Sequence, residues 1–284
     1  AIAILGVSLF EYLNFIDVSQ SRIPYRSSTL FWPRYILGGL MFGFGMTYAS
    51  GCGNKILIRA GGGNIKSLFV LIVAGLMAYL MTRTDFYGLG FHSWMSPISP
   101  DLAKLGIEDQ SLPIILAFFF SSFDVEILKL IVGLLIASIM IFQIFKSGVF
   151  LKNVDNVLSG ITVGTIVVLA WLITGGSLGQ EWIEANDFMD TPMPGVGVQS
   201  FTFINPMGET IIFLGNNADL YYLTFGVTAL VAVILGSFSY SLISKSFRVE
   251  WFISKEDFSR HLLGGILIGI GGVLSLGCTI GQGV

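Results

Sequence analysis

Four stretches of this chain contain no Asp, Glu, Lys or Arg over a length that can cross a lipid bilayer. They are residues 35–54, 156–180, 220–244 and 261–284, and each has 20 or more residues. A membrane-spanning helix needs about 20 mostly apolar residues. A β-barrel would instead show segments of roughly 10 residues with alternating polarity, and the sequence lacks that pattern. The chain is therefore predicted to be an all-α, polytopic membrane protein.

The composition agrees with this class and argues against several others. Only 12% of the residues are charged, against about 25% in soluble domains. The net charge of −3 and the lack of a basic cluster give no reason to expect a nucleic-acid partner. Two distant cysteines without a CxxC motif, and only two histidines, favour neither a disulfide framework nor a metal centre. We expect the lipid bilayer as a partner and no cofactor.

One motif occurs twice in the sequence. Residues 34–52 and 260–278 align without a gap at an offset of 226 and match at eight of nineteen positions. The matches are an arginine, a leucine, five glycines and the final cysteine, and these two cysteines are the only ones in the chain. Chance does not explain this combination, so we predict an internal duplication. The expected organisation is one transmembrane domain over 1–284, truncated at both ends, with repeats at about 34–145 and 154–284.

The charged linkers predict that the two copies are inverted. Because basic loops stay cytoplasmic, the linkers 146–152 and 245–260 are predicted to lie inside. The acidic segment 175–217 is predicted to be a long loop outside. If the first copy crosses fully, five crossings separate the starts of the two copies. They would then point in opposite directions, as the inverted repeats of many transporters do, with a substrate site at the midplane.

Three arginines leave the path of the first copy open. In the inverted scheme Arg22, Arg26 and Arg34 lie outside, against the charge rule. A re-entrant hairpin over 34–59 would place them inside, but it would also remove the inversion. The sequence alone allows both arrangements.

The Gly-Cys pair that ends each copy is the candidate site. The earlier glycine pairs, 38–39 and 264–265, are explained by close helix packing in lipid. The Gly-Cys pairs precede polar or flexible residues, which predicts broken or re-entrant helices with free N–H groups that favour an anion. The predicted binding and translocation residues are Gly51, Cys52, Gly53, Asn54, Gly277, Cys278, Thr279 and Gln282.

A second interpretation of the two cysteines must be weighed. Free cysteine is often only a small buried apolar residue, and either thiol alone would favour that interpretation. The position of both thiols at the same place in a repeated motif favours a function.

The segments GFGMTYASGCGNKILIRAGGGN (43–64) and GGILIGIGGVLSLGCTIGQG (264–283) resemble the YeeE/YedE sulfur-transport family. A first GC motif followed by a basic residue, Gly and Asn, and a late GCTIGQG motif, carry the resemblance. Residues 159–175 and 200–209 also resemble that family. The similarity covers most of the chain.

The resemblance implies an importer in the bacterial inner membrane for a small sulfur-containing anion, typically thiosulfate. It implies an hourglass of inverted halves in which short helices point their N-termini at the centre. Family cysteines are thought to pass the ion along through S–H hydrogen bonds, a role that would fall on Cys52 and Cys278. The family also has an early cysteine motif that this chain lacks. A small cytoplasmic sulfur-carrier protein is an expected partner.

Two other functions stay open at this point. A membrane thiol–disulfide or persulfide transfer protein would pair Cys52 with Cys278, which requires Cα atoms within about 7 Å, and would lower at least one thiol pKa. The missing CxxC motif counts against it. A purely structural membrane subunit would leave the paired Gly-Cys motifs unexplained.

Overall fold

The computed structural model describes residues 1–119, 124–146 and 148–278. Within these ranges the regular structure is helical, and extended pairing is limited to isolated bridges. The α-helices are α1 (Ile2–Tyr12), α2 (Trp32–Tyr48), α3 (Gly53–Gly61), α4 (Ile65–Arg83), α5 (Ser93–Met95), α6 (Leu112–Phe119), α7 (Val125–Lys146), α8 (Val149–Lys152), α9 (Val154–Gly175), α10 (Ser177–Asp187), α11 (Ile204–Gly215), α12 (Phe225–Ile243) and α13 (Lys255–Leu274). The all-α prediction is confirmed.

Five of these helices are long and apolar enough to cross a membrane: α4, α7, α9, α12 and α13. This confirms the prediction of a multi-pass membrane protein. Their starting points follow from local sequence, since the Asn64 side chain accepts a hydrogen bond from the backbone N–H of Ser67 at 2.8 Å and begins α4. Thr224 and Ser254 cap α12 and α13 in the same way, satisfying N–H groups that a helix start leaves unpaired.

The buried apolar residues form two clusters. The larger cluster joins α2, α3, α4, α11 and α13 and contains Ile56, Val70, Ile204 and Leu274. The smaller cluster joins α1 and α9 to the extended segment around Val198. The cysteines belong to the larger cluster, so the helices around it position the candidate site.

Helices α2 and α13 pack antiparallel through glycine. Gly38, early in α2, lies against Gly271, late in α13, and a Cβ added at Gly38 would be 3.0 Å from the Gly271 carbonyl oxygen. Gly45, late in α2, lies against Gly264, early in α13, with the corresponding distance at 3.1 Å. Larger side chains would force the helices apart, which explains these four glycines as packing residues.

Equivalent residues of the two motif copies make equivalent contacts with each other. A Cβ added at Gly45 would lie 2.8 Å from the backbone nitrogen of Ile268, and one added at Gly271 would lie 2.5 Å from that of Phe42. Gly45 is equivalent to Gly271 at the offset of 226, and Phe42 is equivalent to Ile268. The pair therefore meets through a self-complementary surface of the kind that a two-fold axis produces.

The first copy passes along the whole of α13. At the start of α2, Arg34 Nε donates to the carbonyl oxygen of Leu274, the last residue of α13, at 2.7 Å. Just after α3, Lys66 Nζ donates to Asp257 Oδ2 in the first turn of α13 at 2.7 Å. The chain from the start of α2 to the start of α4 therefore runs between opposite ends of α13.

The acidic segment 175–217, predicted to be a long loop, contains two helices. Helix α10 carries several of the acidic residues, and α11 has only 12 residues. Such a length is too short to span a bilayer, so the hydropathy pattern did not indicate it. Helix α11 packs between α4, α12 and α13 and brings this part of the chain into the larger cluster.

Candidate functional site

Both motif copies end their helix with the same backbone turn. Ser50 has φ 62° and Leu276 has φ 64°, and these residues are equivalent at the offset of 226. The next N–H donates back to the carbonyl five residues earlier, from Gly51 at 2.9 Å and from Gly277 at 2.8 Å. This is the Schellman pattern, in which a left-handed residue stops a helix and satisfies its last carbonyls. Each cysteine therefore follows a helix break, as predicted.

Cys52 stands at the start of the short helix α3. It is the N-cap residue, and its carbonyl oxygen accepts from the N–H of Ile56 at 3.0 Å. Its side chain is half-buried, as is that of Asn54, while Gly53 between them is buried. The free N–H groups and positive dipole end of α3 thus lie directly beside the thiol.

The starts of α3 and α11 meet across Ile204. A Cβ added at Gly53 would lie 3.0 Å from Ile204 Cδ1, and one added at Gly272 would lie 2.6 Å from Ile204 Cγ1. Ile204 is the first residue of α11 and is fully buried. The structure therefore brings one residue of each motif copy to the same apolar side chain, at the place where α3 and α11 begin.

Cys278 is more enclosed than Cys52. Its side chain is 1% exposed and belongs to the larger cluster. Tyr25, from the segment that leads into α2, lies near it: burial, and after it the Cys278 thiol, raise the pKa of the Tyr25 hydroxyl. Gly277 has φ 155°, a conformation that glycine alone adopts readily. The predicted site residues Thr279 and Gln282 lie outside the described residues.

A cavity of 230 Å³ adjoins the second copy. It is lined by Val273 and Leu276 on one side and by the first turn of α11 on the other. Its polar lining consists of Arg22, Arg34, Thr82, Gln199, Ser200, Thr202, Asn205 and Glu209. Thr202 Oγ1 and Asn205 Oδ1 are buried and have no hydrogen-bond partner among the described residues. Two guanidinium groups, the Glu209 carboxylate, hydroxyl and amide groups and the first turn of α11 make this a polar chamber.

The arginines around this chamber are held by specific partners. Arg22 donates to Glu209, which also accepts from Thr224 Oγ1 at 2.6 Å. Arg34 donates to the carbonyl oxygens at the end of α13. Arg26, which is outside the chamber lining, forms two hydrogen bonds with Glu11. The charges of Arg22 and Arg26 are thus offset by carboxylates.

Sequence reasoning missed three residues of this site. Ile204 and Glu209 lie in the predicted acidic loop, and Tyr25 lies in the polar segment before α2. The available signal was the resemblance of residues 200–209 to the transport family. Nothing in the local sequence indicated that Tyr25 lies near Cys278, because that contact joins distant parts of the chain.

Both cysteines are free thiols, so the disulfide on which the thiol–disulfide alternative depends is not formed. The half-buried Cys52, the buried Cys278, the two helix N-termini and the adjoining chamber form a site that can hold an anion by hydrogen bonds.

Comparison with known proteins gives consistent results. A family model described as sulphur transport matches residues 1–284. The chain is similar to the thiosulfate transporter TsuA of Escherichia coli (strain K12), with 24% identity over 299 residues that cover 99% of this chain and 75% of that protein. It is also similar to the thiosulfate transporter TsuA of Spirochaeta thermophila, with 24% identity over 249 residues, 87% of this chain and 68% of that protein.

Proposed function

Because the chain belongs to the sulphur transport family, a family of transporters and not of enzymes, we propose that it takes up thiosulfate or a similar small sulfur-containing anion. The proposed location is the bacterial inner membrane, and the anion passes Cys52 and Cys278 at a central constriction. Both relatives are named thiosulfate transporters, which supports this substrate.

The observation that carries the proposal is the approach of both motif copies to Ile204. Gly53 and Gly272, one from each copy, lie against this side chain, and both cysteines belong to or pack against the same cluster. Helices α3 and α11 begin at this place, and helix N-termini favour negative charge.

The proposed relay uses weak contacts. A neutral thiol is a weak hydrogen-bond donor, and conduction requires sites that release the ion as readily as they bind it. In the proposed order the chamber beside Arg22 and Arg34 receives the anion. Its terminal sulfur then meets Cys278 and Cys52 in turn, while Asn54, Thr279 and Gln282 serve its oxygens.

Two further expectations belong to the proposal. The equivalent contacts that residues of α2 and α13 make with each other support an inverted duplication with repeats at about 34–145 and 154–284. On the cytoplasmic side, a small sulfur-carrier protein is proposed to receive the imported anion.

Growth on thiosulfate as the sole sulfur source, in cells without another thiosulfate importer, tests the relay. Cys52→Ala and Cys278→Ala are each expected to reduce uptake of labelled thiosulfate by about tenfold or more, because each removes a donor beside the path. Cys52→Ser keeps a hydroxyl donor of similar size, so it separates the need for sulfur from the need for a hydrogen bond.

The amount of each variant in the membrane must match the parent, since Cys278 is buried and its replacement can affect folding. Unchanged uptake in both alanine variants at equal membrane levels would reject the relay. Equal loss in Cys52→Ser and Cys52→Ala would show that the hydroxyl cannot replace the thiol.

A further inference from the structure

A second cavity, of 320 Å³, has no residue of either Gly-Cys pair in its lining. It is enclosed by α1, α9, the segment before α2, the start of α6 and the extended segment 198–201. It shares Ile23, Gln199 and Ser200 with the 230 Å³ chamber, so the two spaces are neighbours. No residue on the wall of this cavity was predicted to belong to the site.

Two residues on its wall have a buried hydrogen-bonding group without a partner among the described residues. The Trp171 side chain is 5% exposed, and these groups are its Nε1–H and Ser111 Oγ. Indole N–H can only donate, and a buried donor left unpaired is unfavourable. The cavity therefore lacks a group that supplies acceptors to Trp171 and Ser111.

The charge of the wall does not oppose an acceptor that is an anion. Among the described residues that line the cavity none is acidic, and Arg26 is its only charged residue. Two Nη atoms of Arg26 already donate to Glu11, so the positive charge is largely offset. Such a wall holds an anion weakly, which suits a site that must release it.

The rest of the wall is apolar. Val7, Val18, Val167, Val198 and Phe201 line the cavity together with the donors. A tetrahedral ion with oxygens on every corner would place some of them against these side chains, where they find no donor. An ion with oxygens at one end and an apolar or polarisable group at the other fits both parts of the wall.

We propose that this cavity is a binding site for a small anion of the sulfonate type, with its oxygens on Trp171 and Ser111 and its oxygen-free end on the valine wall. Thiosulfate and methanesulfonate both have this form. The cavity shares Ile23, Gln199 and Ser200 with the 230 Å³ chamber beside the second motif copy, so it is a waiting position next to the proposed path. That role as a waiting position rests on the proposed function, whereas the binding itself does not.

Equilibrium dialysis of the purified full chain with labelled thiosulfate tests the site. The double variant Cys52→Ser with Cys278→Ser is the starting protein, so binding that depends on the thiols is removed. It is expected to retain about one bound thiosulfate. Adding Trp171→Phe, which keeps the ring and removes the donor, is expected to weaken that binding about tenfold or more.

Trp182→Phe is the matched control, because Trp182 is half-exposed on α10 and lines a different cavity. Ser111→Ala provides a second variant that does not depend on how Trp171→Phe folds. Methanesulfonate is expected to compete with thiosulfate more strongly than sulfate does.

Three outcomes would overturn the proposal: no thiosulfate binding in the double cysteine variant, equal binding in the Trp171→Phe and Trp182→Phe variants, or equal competition by sulfate and methanesulfonate. Loss of uptake in the cysteine variants is measured separately. The relay and this site can therefore fail independently.

Discussion

The two copies of the Gly-Cys motif share a backbone but not an environment. Both helices end in the same turn, with Ser50 and Leu276 in the left-handed region. Cys52 then lies half-buried at the start of a helix, whereas Cys278 is buried in the core. A duplicated sequence thus fixes how a helix stops, while the neighbours decide how far the thiol is exposed.

The same contrast applies to the glycines of the two helices. In α13, Gly265 and Gly269 lie against α4, and a Cβ at Gly269 would be 2.5 Å from the Ala74 carbonyl oxygen. At the equivalent positions of α2, Gly39 and Gly43, no heavy atom of the described residues lies within 4 Å of an added Cβ. In α13 the glycines therefore pack against two helices, α2 and α4, whereas in α2 they pack against α13 alone among the described residues.

The largest expected effect comes from a larger side chain on the surface of α13 that packs against α4. Gly269→Val places a branched side chain against the backbone of α4, and we expect a loss of about 3 kcal/mol or more, seen as little folded protein. The matched change Gly43→Val enters open space and is expected to leave the yield nearly unchanged. The amount of folded protein in each variant is measured by size-exclusion chromatography after detergent extraction.

Equal loss in Gly43→Val would contradict the comparison, since it would mean that α2 is covered on that face in the cell. A normal yield from Gly269→Val would instead show that α4 can move away from α13.

The arginine that begins each copy gives the next largest effect. Arg34 donates to the carbonyl oxygens of Val273 and Leu274 at the end of α13, and the Val273 oxygen also accepts from the Leu276 N–H at 3.2 Å. Within the described ranges its equivalent, Arg260, forms an exposed pair with Glu256 four residues earlier. Arg34→Ala is expected to cost about 2 kcal/mol, and Arg260→Ala at most about 0.5 kcal/mol.

Thermal unfolding of the two variants in the same detergent tests this order. Arg34→Lys is an informative control, because lysine keeps the charge but lacks the fork that reaches two carbonyls. Matching losses for Arg34→Ala and Arg260→Ala would show that the hydrogen bonds to α13 do not stabilise the protein.

The sequence was sufficient for the class of fold because hydropathy acts locally. The uncharged runs 156–180 and 220–244 indicated α9 and α12. The sequence was not sufficient for α11, whose 12 residues are too few to be recognised as a membrane helix. Helix α11 is stabilised by its neighbours, and that information lies elsewhere in the chain.

The candidate site also has one part that the sequence predicted and one part that it did not. The duplicated Gly-Cys pairs were visible because they repeat at a fixed offset. The surroundings of Cys278 were not visible, because Tyr25 and Ile204 reach the site from segments more than 70 residues distant from it. Long-range packing of this kind leaves no periodic pattern in one sequence.

The smallest expected effect concerns the left-handed residue of the shared turn. Ser50 is exposed at φ 62°, a conformation that disfavours any residue with a Cβ, so Ser50→Gly is expected to stabilise the protein by about 0.5 kcal/mol. Ser50→Ala keeps the Cβ and is expected to have almost no effect.

At Leu276 the same change to glycine would also remove a buried side chain, so its net effect is expected to be destabilising. A higher unfolding temperature for Ser50→Gly together with a lower one for Leu276→Gly would therefore separate the shared backbone from the different surroundings, and changes of the same sign would show that the surroundings do not decide the outcome.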